Sequence, residues 1–365
     1  MPFIPLRVKG DLRGGDRDHV GAAAVLGRTL VGRGTTTGMK LAPTTLAILA
    51  AGLLACEKDA TPRSKPSGSL NQQETGLLSK LPSGGQFVFG GNMYDAQRWL
   101  SESPMAQMTR ALVPANLTAW NECLATQKQM AMAMAGRFED GTLRMSTFMR
   151  GMTIADLQRC AGVAKVTVAV DPDGKYLTVD LPAQGGVTMR SPYLEVDGGL
   201  YSRMAMSLAG LTAGAVESVV ATRAELEADQ ASLAKGSMAT DARMQALLAR
   251  VDRSRPFFFA GSAAGTPIAD KLGDVWGSFA VERGLEFDGV FALKDPAMTQ
   301  QMLDGFGDLK SNLGSLPPSM SSVKTLVKGV RLGKSKDGLT LSVRISNQAL
   351  ADAMAQLGPM LPQVQ

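Results

Sequence analysis

Histidine occurs once in this chain, at His19, inside a Gly- and Arg-rich stretch read below as upstream of the mature protein. The rest therefore carries no imidazole, which excludes Ser-His-Asp and Cys-His nucleophiles, His-ligated zinc and His general-base catalysis. Serine followed by Lys three residues on is the other simple nucleophile-and-base spacing, met at Ser232 with Lys235 and at Ser321 with Lys324. With this many Ser and Lys residues roughly one such match arises by chance, and the Ser-Asp-Asn and Lys-Thr-Gly companions of that chemistry are missing. Both read as solvated helix faces. Asp171 and Asp173 before Gly174 offer two carboxylates to calcium but lack the closing Glu and further oxygens of a calcium loop; a hairpin turn accounts for them. No catalytic residue, metal or cofactor is expected, and the chain is expected not to be an enzyme.

Sulfur is the more informative element. Met130, Met132 and Met134 alternate, as do Met204 and Met206, so on strands each row projects from one face. Soft core filler is the commonest use of Met. The alternatives are an apolar face that receives a lipid or other hydrophobic ligand, since Met repacks around irregular shapes, and a thioether row holding Cu(I). Cys123 and Cys160 would be free to join in an oxidising compartment. Their spacing does not decide whether the Cα atoms come within roughly 7 Å.

The third thiol, Cys56, ends a different pattern. From Met39 the chain reads one positive charge, an apolar stretch of about fifteen residues, then small residues before Cys56, which has the layout of an export leader. A spanning helix needs about 20 apolar residues, and this run is shorter and gives way to a charged, Pro-rich segment. Leu53-Leu54-Ala55-Cys56 resembles the cleavage motif of the bacterial lipoprotein family at every position. The resemblance implies cleavage before Cys56, diacylglyceryl on its thiol and acylation of the new amino terminus. It implies a chain exported and anchored by those acyl chains in the bacterial cell envelope, with the outer membrane, facing the periplasm or the surface, as the expected site. The resemblance covers about eighteen residues and says nothing of the fold beyond them. Residues 1–38 then read as upstream sequence with a misassigned start, 39–55 as the signal peptide and 56–75, polar and rich in Pro and Ser, as a flexible tether.

The net charge of +5 misleads unless it is located. Residues 1–55 hold Arg7, Lys9, Arg13, Arg17, Arg28, Arg33 and Lys40 against Asp11, Asp16 and Asp18, a balance of +4. The near-neutral remainder lacks the clustered cationic field that displaces counterions from phosphates, so nucleic acid is excluded as a partner.

The elements that must position these side chains repeat. Residues 77–91 align without gaps on 247–261, helix end, turn and strand together. Ser103-Pro104 and Thr266-Pro267 each read as a helix start. Met130–Phe138 and Val275–Val281 read as strands turning at Asp140-Gly141 and Arg283-Gly284 into second strands. Thr153 with Asp156, and Asp295 with Pro296, cap a further helix in each half. Two closing hairpins turn at Asp173-Gly174 and Asp337-Gly338, with Leu177, Val179 and Leu181 matched to Leu341, Val343 and Ile345 at period two.

Hairpins call for antiparallel sheets and intervening helices for a covered face. The expected fold is α+β, internally duplicated, with helices packed on one face: residues 76–220 the first half, 221–245 a helical connection and 246–365 the second half. That layout is similar to uncharacterised exported proteins, without a specific family. The expected function is an anchored, non-enzymatic binding or scaffold protein with an envelope protein as partner. The alternative is a carrier with a hydrophobic ligand in an apolar groove.

Overall fold

The computed structural model describes residues 68–102, 115–124, 126, 131–139, 141–182, 188–207, 218–266 and 268–357. His19, Cys56, the leader, most of the tether and Met130 lie outside the described residues. In chain order the elements are α1 (Gln72–Leu78), β1 (Phe87–Asn92), α2 (Met93–Glu102), α3 (Ala115–Leu124), β2 (Ala131–Glu139), β3 (Thr142–Arg150), α4 (Ile154–Ala164), β4 (Thr167–Val170), β5 (Tyr176–Pro182), β6 (Thr188–Val196), β7 (Gly199–Ser207) and β8 (Ser218–Val220). The second half follows through α5 (Arg223–Ser232), α6 (Ala242–Leu248), β9 (Phe257–Ser262), β10 (Leu272–Ala280), β11 (Gly284–Leu293), α7 (Pro296–Asn312), α8 (Ser321–Lys328), β12 (Val330–Ser335), β13 (Gly338–Ser346) and α9 (Asn347–Leu357).

The class is α+β, and the strands form one continuous antiparallel sheet in the order β12-β13-β11-β10-β9-β1-β2-β3-β7-β6-β5-β4, with β8 paired to β7. The duplication is written into its centre. α1 and α6 begin 170 residues apart at Gln72 and Ala242, and β1 and β9 keep the same offset at Phe87 and Phe257. The caps match, with Asn71 accepting from the Glu74 amide and Asp241 from that of Met244. Leu77, Leu78 and Leu81 are buried, and so are their counterparts Leu247, Leu248 and Val251. β1 and β9 pair with each other so that Phe89 faces Phe259, while Phe87 faces Gly261 and Phe257 faces Gly91. A local two-fold axis therefore passes between Phe89 and Phe259 and makes one sheet from two copies.

Strand alternation assigns the layers. Tyr201 belongs to the central core and its neighbour Leu200 to another, so they lie on opposite faces. The first face carries the central core, with Val88, Ala133, Phe148, Ala260 and Trp276 under Leu78, Leu226, Met244 and Leu248 of α1, α5 and α6. The second face carries two separate cores. Trp120, Leu157 and Cys160 of α3 and α4 pack on Leu177, Val179 and Leu200, and Phe306 of α7 packs on Val330, Leu332 and Leu341. Helices thus cover both faces, and not the single face expected, because the hairpin pattern alone does not reveal which side each crossover takes.

Three further expectations are corrected. The tether ends before residue 75, since the Asn71 capping box already starts α1. No helix follows Thr266: residues 268–271 form a turn, with Leu272 bonded to the Ile268 carbonyl, and β10 begins directly. Leu177, Val179 and Leu181 do face a core, as expected, but β5 is not the sheet counterpart of β13. The strand beside β3 is β7, as β13 is beside β11, because an additional hairpin turning at Asp197-Gly198, with Gly198 at φ +83°, separates β5 from the centre. The helical connection itself is α5 plus a 3-10 turn at Leu233–Lys235; α6 already belongs to the second copy.

Candidate functional site

Between the two outer cores of the second face, the middle of the sheet carries a further set of apolar side chains. Phe87 and Phe89 of β1, Phe259 of β9 and Phe279 of β10 are half-buried and belong to none of the three cores. Met132 and Met134 of β2 point the same way, opposite to Ala131, Ala133 and Ala135 of the central core. Across β3 the row continues: Met145 faces Gly136 on one side and Met204 on the other, and Leu143 faces Met206. The structure thus gathers four of the five methionines singled out from sequence onto one face, with Met130 outside the described residues, and adds Met145, whose i, i+4 spacing with Met149 hid it from an alternation test.

Glycines shape this face. A Cβ on Gly136 would lie 2.1 Å from the Phe87 ring, and one on Gly277 2.6 Å from that of Phe259. The rings therefore lie down over the neighbouring strand where only Gly leaves room. Phe257 and Phe279 stack at 4.8 Å between centroids, and Phe89 meets Phe279 at 5.8 Å, giving offset aromatic contacts. A broad apolar strip results, with soft thioethers along one margin. The Trp99 indole N–H of α2 donates to Asn347 Oδ1 at the start of α9, 2.9 Å away, which ties the helix groups of this face together across the two halves.

The first face holds a polar cleft of about 260 Å³ beside α5, lined by Ser83, Arg137, Ser146, Arg203 and Asp229 among others. The Tyr201 hydroxyl donates to Asp229 Oδ2 at 3.0 Å and has Ser146 Oγ 3.0 Å away. Burial, with the Asp229 charge beside it, holds this phenol well above its ordinary value. It is a structural donor and not a proton-transfer group at neutral pH. Arg203 is bound to Asp229 and Glu225, and Arg137 and Arg144 share Glu139, so the three guanidinium groups at the cleft are met by three carboxylates.

The remaining candidates fall where chemistry is absent. Ser232 Oγ donates to the Asp229 carbonyl at 2.6 Å, and Ser321 Oγ accepts from Gln356 Nε2 at 3.1 Å; no hydrogen bond joins either to Lys235 or Lys324 among the described residues. Asp171 and Asp173 accept from Arg223 at 3.2 and 2.6 Å, which holds the Asp173 carboxyl below its ordinary value. Among the described residues no three His, Cys, Asp or Glu side chains converge as a metal site would require.

Cys123 of α3 and Cys160 of α4 are joined by a disulfide, with Cα atoms 5.4 Å apart, closing a 37-residue separation inside the core of that end. Alkylation should find both thiols blocked until the unfolded chain is reduced. Reduction should lower unfolding stability by about 2–4 kcal/mol through the freed loop. Free labelling of both cysteines without reductant would refute the bond.

Neither a protein-family model nor a curated protein matches the chain. Solved structures of TP0453 align with it. Crystal form I covers 77% of this chain and 97% of its own at 10% identity and a TM-score of 0.39, and crystal form IV covers 76% and 96% at 10% identity and 0.40. So distant a likeness leaves the functional reading to the chain's own residues. Among the described residues no helix is long and apolar enough to cross a membrane.

Proposed function

We propose that this chain is an exported, non-enzymatic binding protein, held to a membrane of the cell envelope by acyl chains on Cys56, and that its apolar strip receives a hydrophobic ligand such as a lipid acyl chain. The observation that carries the ligand reading is the row of half-buried Phe and Met side chains on the second face, outside all three cores. Partly accessible apolar side chains gathered in one place, and not scattered singly, suit a binding surface. Met and Phe suit an occupant of irregular shape, because the thioether chain repacks and the rings supply area at little rotamer cost. The absence of imidazole from residues 20–365 and the internally neutralised first cleft support a non-enzymatic role. A scaffold that engages an envelope protein through the same strip is the competing use.

The test is titration of the detergent-solubilised full chain with cis-parinaric acid, followed by fluorescence, then displacement by phospholipid. Wild-type protein is expected to bind saturably, and Met134→Glu to bind about tenfold more weakly or worse, since a carboxylate on the strip must be desolvated beneath the acyl chain. Met134 is half-buried, so circular dichroism should be unchanged. No saturable binding by wild type, or equal binding by the variant, overturns the lipid reading.

A further inference from the structure

The two-fold relation that duplicates the sheet also duplicates the polar cleft, and the two copies differ in a telling way. The second cleft, of about 500 Å³, lies on the first face over β10 and β11, with Arg250, Trp276, Ser278, Asp288, Val290 and Asp337 among its lining. Ser278 and Asp288 oppose each other on adjacent strands, as Ala135 and Ser146 do in the first cleft. In the first cleft the pair is at rest, for Ala135 has no polar atom and Ser146 lies against the Tyr201 hydroxyl. In the second, Ser278 is 1% and Asp288 3% exposed, yet Ser278 Oγ and Asp288 Oδ1 have no hydrogen-bond partner among the described residues. The fold does not require this arrangement, since its own other copy does without it, and buried polar atoms left unpaired are costly.

The second cleft is also the larger. Tyr201 sits opposite Phe148 on the strand flanking the first cleft; at the matching place, opposite Val290, stands Thr340. The buried phenol beside the first cleft thus has a Thr as its counterpart beside the second.

We propose that the second cleft is a binding site for a sugar or polyol, one of whose hydroxyls bridges Ser278 Oγ and Asp288 Oδ1. The chemistry selects a hydroxyl. Asp288 Oδ2 already accepts from Arg255 at 2.5 Å and Arg344 at 2.6 Å, so its other oxygen is an acceptor whose charge is answered by two guanidinium groups. A cationic ligand would meet those groups and Arg250 nearby, and an anionic one would meet the carboxylate. Residues directly opposed on neighbouring strands have Cβ atoms about 5 Å apart, a gap spanned by one atom that donates to the carboxylate and accepts from the serine. A hydroxyl does both. Water does so too, but fills only roughly 30 Å³, a small part of this cleft. Trp276 is buried beneath Arg250, whose guanidinium lies 3.9 Å over the indole and pairs with Asp337, so this wall of the cleft offers further donors and acceptors for hydroxyl groups.

The test titrates the full chain separately with glycerol, myo-inositol, D-glucose and N-acetyl-D-glucosamine, read by saturation-transfer NMR and by tryptophan emission. At least one is expected to bind saturably with a Kd of about 1 mM or below. Ser278→Ala should weaken that binding about tenfold or more with an unchanged or raised melting temperature, because it removes only an unpaired hydroxyl. Thr340→Tyr, which restores the side chain of the first cleft, should abolish it. Failure of all four probes to saturate, or wild-type affinity in Ser278→Ala, overturns the proposal and leaves ordered water as the only occupant.

Discussion

Arg253→Ala should cost the fold about 3–5 kcal/mol, seen as a lower urea midpoint and a melting temperature reduced by roughly 10 °C. The guanidinium is 2% exposed, and its Nε lies 2.9 Å from Glu74 Oε2, itself 9% exposed. It also donates to the carbonyls of Gly68 at 2.9 Å and Ser69 at 2.5 Å, and to that of Leu248. One side chain thus fastens the segment entering α1 to the end of α6, across the two-fold axis. Alanine strands the Glu74 carboxylate in the interior and leaves these carbonyls without their donor, and the unpaired charge is the larger loss. Glu74 additionally closes the capping box of α1 by accepting from the Asn71 amide. Replacing both residues by Met should therefore be milder than Arg253→Ala alone, since removing both charges leaves none unanswered. If Arg253→Ala unfolds like wild type, the halves are held by the central strand pairing and the apolar core alone.

The duplication was legible because it is local and repeats with one offset. Leu77, Leu78, Phe87 and Phe89 recur at Leu247, Leu248, Phe257 and Phe259, and that offset is the one by which β1 and β9 pair about their axis. The hairpin at Asp197-Gly198 was as legible in principle, since Tyr193 to Val196 and Leu200 to Met204 flank an Asp-Gly turn of the usual kind. It escaped because matching the halves by chain order assigned β5 the place that β7 fills. The Phe and Met strip was half legible: alternation put Met132 with Met134 and Met204 with Met206, but only strand order brings β7 next to β3 and β1 next to β2. Arg253 and the Ser278–Asp288 pair carried no sequence signal, for a charge in the interior is recognised by its neighbours and never by its spacing.

With its leader exchanged for one that is cleaved without lipidation, Cys56→Ala is expected to abolish incorporation of radiolabelled palmitate and to move the chain from the membrane to the soluble fraction. The reasoning is additive. Each buried methylene contributes about 0.8 kcal/mol, one acyl chain binds reversibly, and more than one holds firmly. All of that attachment would depend on a single sulfur. The charge of +4 in residues 1–55 offers no substitute, because those residues are removed by the proposed cleavage. The remainder, at +1, has little electrostatic attraction for an anionic lipid surface. The apolar strip could itself touch a bilayer, and the variant separates the two contributions. If the strip holds a single ligand, Cys56→Ala is soluble and still binds cis-parinaric acid. If the strip lies on the membrane, Cys56→Ala stays bound until Met134→Glu is added. A Cys56→Ala chain that is retained as before, with or without that second change, would remove the lipoprotein reading altogether.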